Sequence, residues 1–346
     1  MSQSPVAGSL GSGWFTGIGS MPGTDSRESM RIVAGECPQL PFLPELPARG
    51  PGADMVGRSA ALLQHLAVEA VPSGWRAVDT PGADMRRARS WLGEDLDALE
   101  EIAGQNASAI KVQLCGPWTL AACVQSRGGE ALVRDSGARR DVVTMLAEAI
   151  PAHIAEVRRR VARADVIVVQ IDEPMLSAVA SAAVPTASGL ATYRGIERTE
   201  IINGLTDVVS AVQSAGALAM SHDCSDAPDL TAWAQAGVQI LGTPSPTTAA
   251  GMDPMVLDSC VAALDAGRVL APALTALDTT VSVMRRWWRA LGWSSQEEIA
   301  AHLLLTPQCG FAAARPDEVR AAFTALDETA RALVEDPDGN LDRSQS

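Results

Sequence analysis

Short apolar runs recur along the chain, and most are followed by a longer segment in which apolar residues repeat at helical spacing. The run Asp165–Ile171 is apolar on both faces, which is typical of a strand inside a parallel sheet. Proline interrupts the run Gln39–Leu46 and makes it the weakest strand of the set. We predict eight strands: Trp14–Ser20, Gln39–Leu46, Ile110–Gly116, Asp165–Ile171, the beginning of Ala217–Asp226, Val238–Thr243, Arg268–Leu274 and Leu303–Gly310.

Predicted helices separate most of these strands. They are Asp25–Glu36, Asp54–Val71, Met85–Gly104, a helix that begins at Pro117, Asp141–Ala164, Glu200–Ala215, Leu230–Ala236, Pro254–Ala266, Thr279–Leu291, Ser295–Ala301 and Pro316–Val334. The alternation predicts an α/β protein, a single (β/α)8 TIM barrel over residues 14–334, with a flexible leader at 1–13 and a polar tail at 335–346. A doubly wound open sheet is the rival architecture, but the segment GIGSMPG after the first strand lacks the G-x-G-x-x-G spacing.

Composition narrows the function classes. The chain has 346 residues, of which 47% are hydrophobic, so we expect a large core. A net charge of −14 argues against nucleic acid or an anionic membrane as a partner. The sequence has no apolar run near the ~20 residues that span a bilayer, and its first residues lack the pattern of a secretion signal. Six scattered cysteines are typical of reduced thiols, which predicts a cytoplasmic protein.

Soft metal ligands fall at predicted strand ends. His222 and Cys224 are two residues apart, so strand alternation places them on one side and Asp223 on the other. Cys309 ends the eighth strand, and strands five and eight face each other across a closed barrel. One imidazole and two thiols around an open fourth position form the ligand set of a catalytic zinc site. The alternative is that both cysteines are small buried apolar side chains.

Carboxylates also fall where predicted strands end. Asp172 and Glu173 follow a strand too apolar to be solvated, so we expect at least one of them over the barrel opening. The alternative is that one caps a helix and the other lies on the surface. For Glu45, at the end of the second strand, a site role and a surface position are both open. Ser20 ends the first strand, where it either belongs to the site or caps the next helix.

Six short motifs occur in one order along the chain, mostly at predicted strand ends. They are IGS at Ile18–Ser20, GADM at Gly52–Met55, GPWT at Gly116–Thr119, QIDEP at Gln170–Pro174, HxC at His222–Cys224 and TPQCG at Thr306–Gly310. On these motifs the chain resembles the catalytic C-terminal barrel of cobalamin-independent methionine synthase, in the uroporphyrinogen decarboxylase/methionine synthase-like superfamily. The resemblance runs from about Phe15 to Leu333.

The resemblance implies a zinc-dependent methyltransferase that transfers a methyl group to the thiol of homocysteine. It implies Zn2+ as the cofactor, with His222, Cys224 and Cys309 as its ligands. A divalent cation makes a bound thiol a thiolate, which is the nucleophile that this reaction needs. The chain departs from the family at two positions: a family tryptophan near the substrate aligns with Cys123, and a family glutamate that contacts the folate aligns with Ala178. The partners are therefore homocysteine and a methyl donor that is either a methyl-folate or a methyl-corrinoid protein.

The resemblance also implies a site for the amino-acid part of homocysteine. Ile18, Gly19, Ser20 and Asp172 match family positions that hold this part of the substrate. Glu45 matches a family carboxylate that binds the ammonium group. A carboxylate and an ammonium form a strong, charge-assisted hydrogen bond.

Two family residues have no counterpart in this chain. The family's glutamate ligand falls in LGTP, Leu241–Pro244, and its catalytic histidine in APALTAL, Ala271–Leu277, and neither stretch contains that residue. A second hypothesis is therefore a diverged paralogue that binds zinc or a thiol without methyl transfer. A decarboxylase without a metal is a third. The resemblance assigns no catalytic residue, and Glu173 and Asp223 are candidates by position.

Overall fold

The computed structural model describes residues 10–225, 228–248, 251–275, 281–292 and 301–336. Three predicted segments fall largely outside the described residues. They are the leader at 1–13, the helix Ser295–Ala301 and the tail at 335–346. The described residues include only the last four residues of the leader, Ala301 of the helix and the first two residues of the tail.

A parallel sheet forms the centre of the described structure. The strands are β1 (Trp14–Phe15), β2 (Ala67–Val71), β3 (Gly74–Val78), β4 (Ala109–Cys115), β5 (Val124–Gln125), β6 (Val166–Asp172), β7 (Leu218–His222), β8 (Ile240–Thr243), β9 (Val269–Leu274) and β10 (Leu304–Pro307). Within the described residues, seven of them form one curled parallel sheet in the order β1-β10-β9-β8-β7-β6-β4. Strands β4 and β6 pair along their whole length, and both are almost entirely buried. Parallel strands need cover on both faces, and helices supply it.

Helices follow most strands of this sheet, as the alternating pattern predicted. They are α1 (Ser26–Glu36), α2 (Met55–Ala60), α3 (Ala83–Ala103), α4 (Pro117–Cys123), α5 (Ser136–Arg160), α6 (Leu176–Ala180), α7 (Arg198–Ser214), α8 (Leu230–Gln235), α9 (Pro254–Asp265), α10 (Val281–Ala290) and α11 (Pro316–Glu335). Aspartates begin several of them. For example, Asp25 accepts from the Glu28 N–H at α1, and Asp135 accepts from the Ala138 N–H at α5.

The predicted second strand, Gln39–Leu46, is present only as two isolated parallel bridges, Phe42 with Lys111 and Ser20 with Glu45. The Leu43 N–H donates to the Lys111 carbonyl at 2.9 Å, and the Glu45 N–H donates to the Gly19 carbonyl at 3.0 Å. Prolines within this segment have no N–H to donate, so they interrupt a regular ladder. The segment therefore contacts β4 on one side and the residues that follow β1 on the other.

The predicted helix Asp54–Val71 is wrong beyond Ala60. Residues of β2 and β3 form an antiparallel hairpin, with Val71 opposite Gly74 at the turn, and β5 joins it to make a separate three-stranded sheet. Gly74 has φ +122°, a conformation that favours glycine. The turn signal around this glycine outweighs the helical spacing before it.

Two apolar clusters fill the interior. The larger one lies between the sheet and its surrounding helices. The smaller one lies inside the curl of the sheet, where Ala109, Val168, Met220 and Ile240 are all buried. Polar side chains lie further along the same strand faces, so the interior changes from apolar to polar toward the carboxyl ends of the strands. No described helix has both the length and the apolar character needed to cross a membrane.

Candidate functional site

Polar side chains meet where the parallel strands end. Asp172 is the last residue of β6 and His222 the last of β7, and the two are paired in the ladder. Cys309 comes two residues after β10. Because β7 ends at His222, strand alternation does not extend to Asp223 and Cys224. The structure instead places all three residues, His222, Asp223 and Cys224, around one small cavity.

The thiols of Cys224 and Cys309 lie near enough to each other that each affects the pKa of the other. Cys224 follows β7 and Cys309 follows β10, and β8 and β9 lie between these two strands in the sheet. Donation by Cys224 lowers the pKa of Cys309 to about 7 and raises the pKa of Cys224. Both cysteines are exposed, so the alternative that they are buried apolar side chains is wrong.

His222 is held by Asp172. Its Nδ1 lies 2.7 Å from Asp172 Oδ1, and 12% of the histidine side chain is exposed. Burial alone would lower the pKa of His222, but the hydrogen bond with Asp172 outweighs burial and raises it. Because a carboxylate oxygen accepts, Nδ1 donates and Nε2 keeps its lone pair. Nε2 faces the Gln308 carbonyl at 3.5 Å, too far for a normal hydrogen bond.

The donor types at this point fit zinc. Zinc sites in proteins commonly combine imidazole nitrogen with thiolate sulfur, and a carboxylate on the other ring nitrogen orients the histidine. His222 Nε2 and the sulfurs of Cys224 and Cys309 supply these donors, and Asp172 supplies the orienting carboxylate. Within the described residues, no three His, Cys, Asp or Glu side chains are already grouped as a metal site. Coordination would therefore require these side chains to move closer together.

A cavity of about 280 Å³, here called the carboxylate cavity, lies beside His222 and Cys224. Its lining includes every residue predicted for substrate binding: Ile18, Gly19, Ser20, Glu45 and Asp172. Asp172 Oδ1 accepts from His222 and from Gln170 Nε2. No group in the described part of the chain donates to Asp172 Oδ2. One oxygen of Asp172 is thus free for a ligand.

Glu45 is buried, with 6% of the residue exposed, so the surface alternative is wrong. Burial raises the pKa of Glu45 to about 7, although Arg58, whose Nε lies 3.8 Å from Glu45 Oε1, opposes this effect. Arg58 also pairs with Asp95, which accepts from Arg49 Nη1 at 2.9 Å. The buried ion cluster of Arg49, Arg58 and Asp95 escaped the sequence analysis, because its members are far apart in the chain.

Ser20 does not cap the next helix, because Asp25 does. It lies against the loop that carries Cys309. The Phe311 N–H donates to the Ser20 carbonyl at 2.7 Å, and a Cβ on Gly310 would come within 1.9 Å of Ser20 Oγ. Only glycine fits this close approach, so the TPQCG motif brings Cys309 next to the IGS motif.

Glu173 and Asp223 have different surroundings. Both oxygens of Glu173 accept hydrogen bonds at the start of α4, from the N–H groups of Trp118 (2.8 Å) and Thr119 (2.7 Å) and from the Thr119 hydroxyl (2.6 Å). Burial still raises the pKa of Glu173 to about 8. Glu173 therefore fixes the GPWT motif onto the site.

Asp223 lines a second cavity of about 80 Å³, here called the hydroxyl cavity. Its lining is otherwise rich in hydroxyl groups, from Ser221, Thr243, Ser245 and Thr248, and it also contacts His222 and Cys224. Asp223 Oδ2 is buried and has no hydrogen-bond partner among the described residues. Of the two candidate acids, Asp223 is thus the one with an unoccupied oxygen.

Sequence reasoning missed the buried polar side chains below the site, Lys111, Gln113 and Gln170. Lys111 lies near the start of β4, away from the strand ends on which the sequence analysis relies. A signal was present, since Lys111 and Gln113 on one strand, and Gln170 and Asp172 on another, are spaced two apart in otherwise apolar runs. That spacing puts each pair on one strand face.

Comparisons with known proteins support the architecture. No protein-family model and no curated protein matches this chain. A B12-independent methionine synthase from Shewanella sp. W3-18-1 has a similar structure, with a TM-score of 0.56 and 12% identity over 92% of this chain and 97% of that one. An endoglucanase from Clostridium acetobutylicum gives a TM-score of 0.42 and 10% identity over 95% of this chain and 98% of that one. The first likeness shows the fold, an α/β arrangement of the TIM-barrel type.

Proposed function

We propose that this protein is a zinc-dependent methyltransferase of the cobalamin-independent methionine synthase type, which methylates the thiol of homocysteine. The observation that supports the proposal is that His222 and Cys224, with Cys309 near Cys224, lie beside a cavity whose lining includes the carboxyl groups of Glu45, Asp54 and Asp172. Soft donors next to a site for an ammonium group suit a thiol amino acid. We also propose that the chain belongs to that family. We further propose that its barrel is complete, with residues 41–45 in the position of the eighth strand.

Different residues would serve substrate binding and methyl transfer. Asp172 Oδ2 and Glu45 would bind the ammonium of homocysteine, while the IGS motif holds the other end of the amino acid. His222, Cys224 and Cys309 would hold zinc, which when bound lowers the pKa of a thiol and so makes it nucleophilic. The sulfur then attacks the methyl carbon, and the donor leaves with the electron pair of the broken bond. Asp223 is our candidate for delivering a proton to the departing donor.

The alternative function is a diverged paralogue that binds zinc or a thiol without methyl transfer. It is favoured by the ends of β8 and β9, where the family's glutamate and histidine have no counterpart in Leu241–Pro244 and Ala271–Leu277. The methyl donor stays open between methyl-folate and a methyl-corrinoid protein. Zinc binding is compatible with both functions, so it does not distinguish them.

Zinc content of the purified protein tests the metal site. We expect about one zinc per chain in the parent, and at least tenfold weaker zinc binding in His222→Ala and Cys309→Ser. Cys260→Ala is the matched control, because Cys260 is buried in α9, outside the described cavities. Equal zinc content in all four proteins would contradict the ligand assignment.

Calorimetry with homocysteine on zinc-loaded protein tests the substrate. We expect saturable binding in the parent, and an absence of heat up to millimolar thiol would favour the alternative. Complementation of a methionine-requiring strain then distinguishes the two functions. Growth supports methyl transfer, and zinc and thiol binding without growth supports the paralogue.

A further inference from the structure

A layer of three polar side chains lies inside the sheet beneath the candidate site. Lys111 and Gln113 come from β4, and Gln170 comes from β6, directly beside Gln113 in the ladder. Lys111 and Gln170 are 0% exposed and Gln113 is 4% exposed. Lys111 is also the single lysine of the chain. Because a buried ammonium is costly unless its charge and protons are matched, this interior polar layer calls for an explanation.

Every proton of the Lys111 ammonium has an acceptor. Nζ lies 2.8 Å from the Ile18 carbonyl, 2.9 Å from Gln170 Oε1 and 3.3 Å from Gln113 Oε1. Since an ammonium can only donate, both glutamines must turn their oxygens toward it and their NH2 groups away. Lys111 thus fixes the orientation of two side-chain amides.

The NH2 groups of the two amides donate hydrogen bonds on opposite sides of the site. Gln170 Nε2 donates to Asp172 Oδ1 at 2.7 Å, the same oxygen that accepts from His222. It also donates to the Ile18 carbonyl at 2.9 Å, so this carbonyl is held twice. Gln113 Nε2 donates to the Leu43 carbonyl at 2.6 Å, two residues before Glu45.

The layer therefore links to Asp172 two backbone segments, Ile18–Ser20 and Leu43–Glu45, that have little regular pairing of their own. The IGS segment contributes only an isolated bridge, between Ser20 and Glu45. Glycine at position 19 packs directly on Gln113, because a Cβ there would lie 2.8 Å from Gln113 Cδ. Burial lowers the pKa of Lys111 to about 8, and attraction to Asp172 and Glu45 opposes this effect, so the cation is in the field of both carboxylates.

We propose that Lys111 is a positioning residue, which holds the Ile18–Ser20 and Leu43–Glu45 segments in place against Asp172. It touches neither substrate nor metal and acts through Gln113, Gln170 and the Ile18 carbonyl. Its value for thiol binding rests on the proposed function, whereas its effect on the two segments does not. The test therefore has two readouts: amide exchange, which does not depend on the proposed function, and thiol affinity, which does.

The first readout is amide hydrogen exchange in metal-free protein. The Met21 N–H donates to the Glu45 carbonyl at 2.8 Å and the Glu45 N–H donates to the Gly19 carbonyl at 3.0 Å, so these amides report the contact between the segments. In Lys111→Met we expect them to exchange about tenfold faster, while amides of β8 change less than twofold. Arg139→Met is the matched control, since it removes a buried cation that pairs with Glu200 away from the site.

The second readout is thiol affinity in zinc-loaded protein. We expect Lys111→Met to bind homocysteine about tenfold more weakly, with zinc affinity and 2-mercaptoethanol binding within threefold of the parent. If Lys111 contributed only to global stability, its loss would not weaken homocysteine binding selectively. Homocysteine is the ligand that would reach Ile18–Ser20, and 2-mercaptoethanol is too short to do so. If Lys111→Met does not fold, Gln170→Met decides, because it keeps the cation and removes the hydrogen bonds from Gln170 to Asp172 and to the Ile18 carbonyl.

The outcomes separate the two proposals. Unchanged exchange at Met21 and Glu45 in a folded Lys111 or Gln170 variant overturns the positioning role. Faster exchange in a protein whose parent binds no homocysteine supports the positioning role and counts against the proposed function. Equal acceleration in Arg139→Met would also overturn the inference, because any buried cation would then have the same effect.

Discussion

The carboxylate cavity and the hydroxyl cavity lie on either side of His222 and Cys224, and they differ in almost every physical respect. The first is lined by Glu45, Asp54 and Asp172, and the interior polar layer supports it from below. The second has mainly hydroxyl groups, and Asp223 is the one carboxyl side chain among its described lining residues. The first therefore offers several carboxyl groups to a cationic ligand, and the second offers mainly hydroxyl groups.

This difference matches where the chain keeps and lacks the family's residues. The positions that the resemblance assigns to the amino acid all line the carboxylate cavity. The positions where the family has a glutamate ligand and a catalytic histidine are on the other side, at the ends of β8 and β9. Under the proposed function, the side that would bind a thiol amino acid therefore keeps these residues, and the side that would meet a donor has a different chemistry. Four experiments can break or sharpen this comparison.

The largest effect is expected from Asp172→Asn. Asp172 orients His222 and also presents Oδ2 to the carboxylate cavity, so both zinc binding and homocysteine binding should weaken. We expect zinc affinity to fall about 10- to 100-fold and homocysteine affinity at least tenfold. Chelator competition measures the first and calorimetry the second. Normal zinc affinity would mean that His222 does not need its carboxylate partner.

Glu45→Gln should separate substrate from metal. We expect homocysteine affinity to fall about tenfold, because a hydrogen bond between charged groups is lost, while zinc affinity stays within twofold. The control ligand is 4-mercaptobutyrate, which keeps the thiol and the carboxylate but has no ammonium, and its affinity should not change. Equal losses for the two thiols would place the ammonium elsewhere.

The pH dependence should report Glu45 as well. Its pKa is raised to about 7 by burial, and only the ionised carboxylate attracts an ammonium. The preference for homocysteine over 4-mercaptobutyrate should therefore grow severalfold as pH rises from 6 to 8 and be lost as pH falls through 7. The ratio of the two affinities removes the effect of thiol ionisation on binding, because both ligands carry a thiol. In Glu45→Gln the ratio should be flat, and a remaining slope would point to another group.

The smallest effect is expected from Thr243→Val in the hydroxyl cavity. The substitution keeps the shape and removes the hydroxyl, whose contact with the Pro244 carbonyl is long, at 3.5 Å. Zinc and homocysteine affinities should both stay within twofold of the parent. A tenfold loss of homocysteine binding would show that the thiol occupies this cavity, and the comparison would then be reversed.

The strands buried on both faces could be predicted almost to the residue. The run at 165–171 appears as β6, Val166–Asp172, because nothing local competes with its apolar, β-branched character. The hairpin of β2 and β3 was missed, since one proline and one glycine decided between helix and strand. The proline-interrupted segment near Glu45 forms bridges that depend on its neighbours, which periodicity along one segment cannot reveal.

The candidate site divides in the same way. Its rim was predicted because polar residues at the ends of apolar runs are visible in the sequence, as with Asp172 and His222. The contacts that hold the rim in place were not, because they join Lys111 to Ile18 and Gln170 across long stretches of chain. The zinc ligand set stays a prediction, which the experiments above test.

The complete burial of Lys111 also gives a chemical probe of folding. Since the sequence contains one lysine, side-chain acylation by an amine-reactive ester has a single target, and that target is 0% exposed. The folded protein should resist the reagent, and each molecule that opens far enough to expose the sheet interior should gain one mass increment. The fraction of chains acylated at Lys111, measured on the peptide that contains it so that the α-amino group is counted separately, would then report opening of the sheet interior in rising urea, without a fluorescent label or an engineered cysteine.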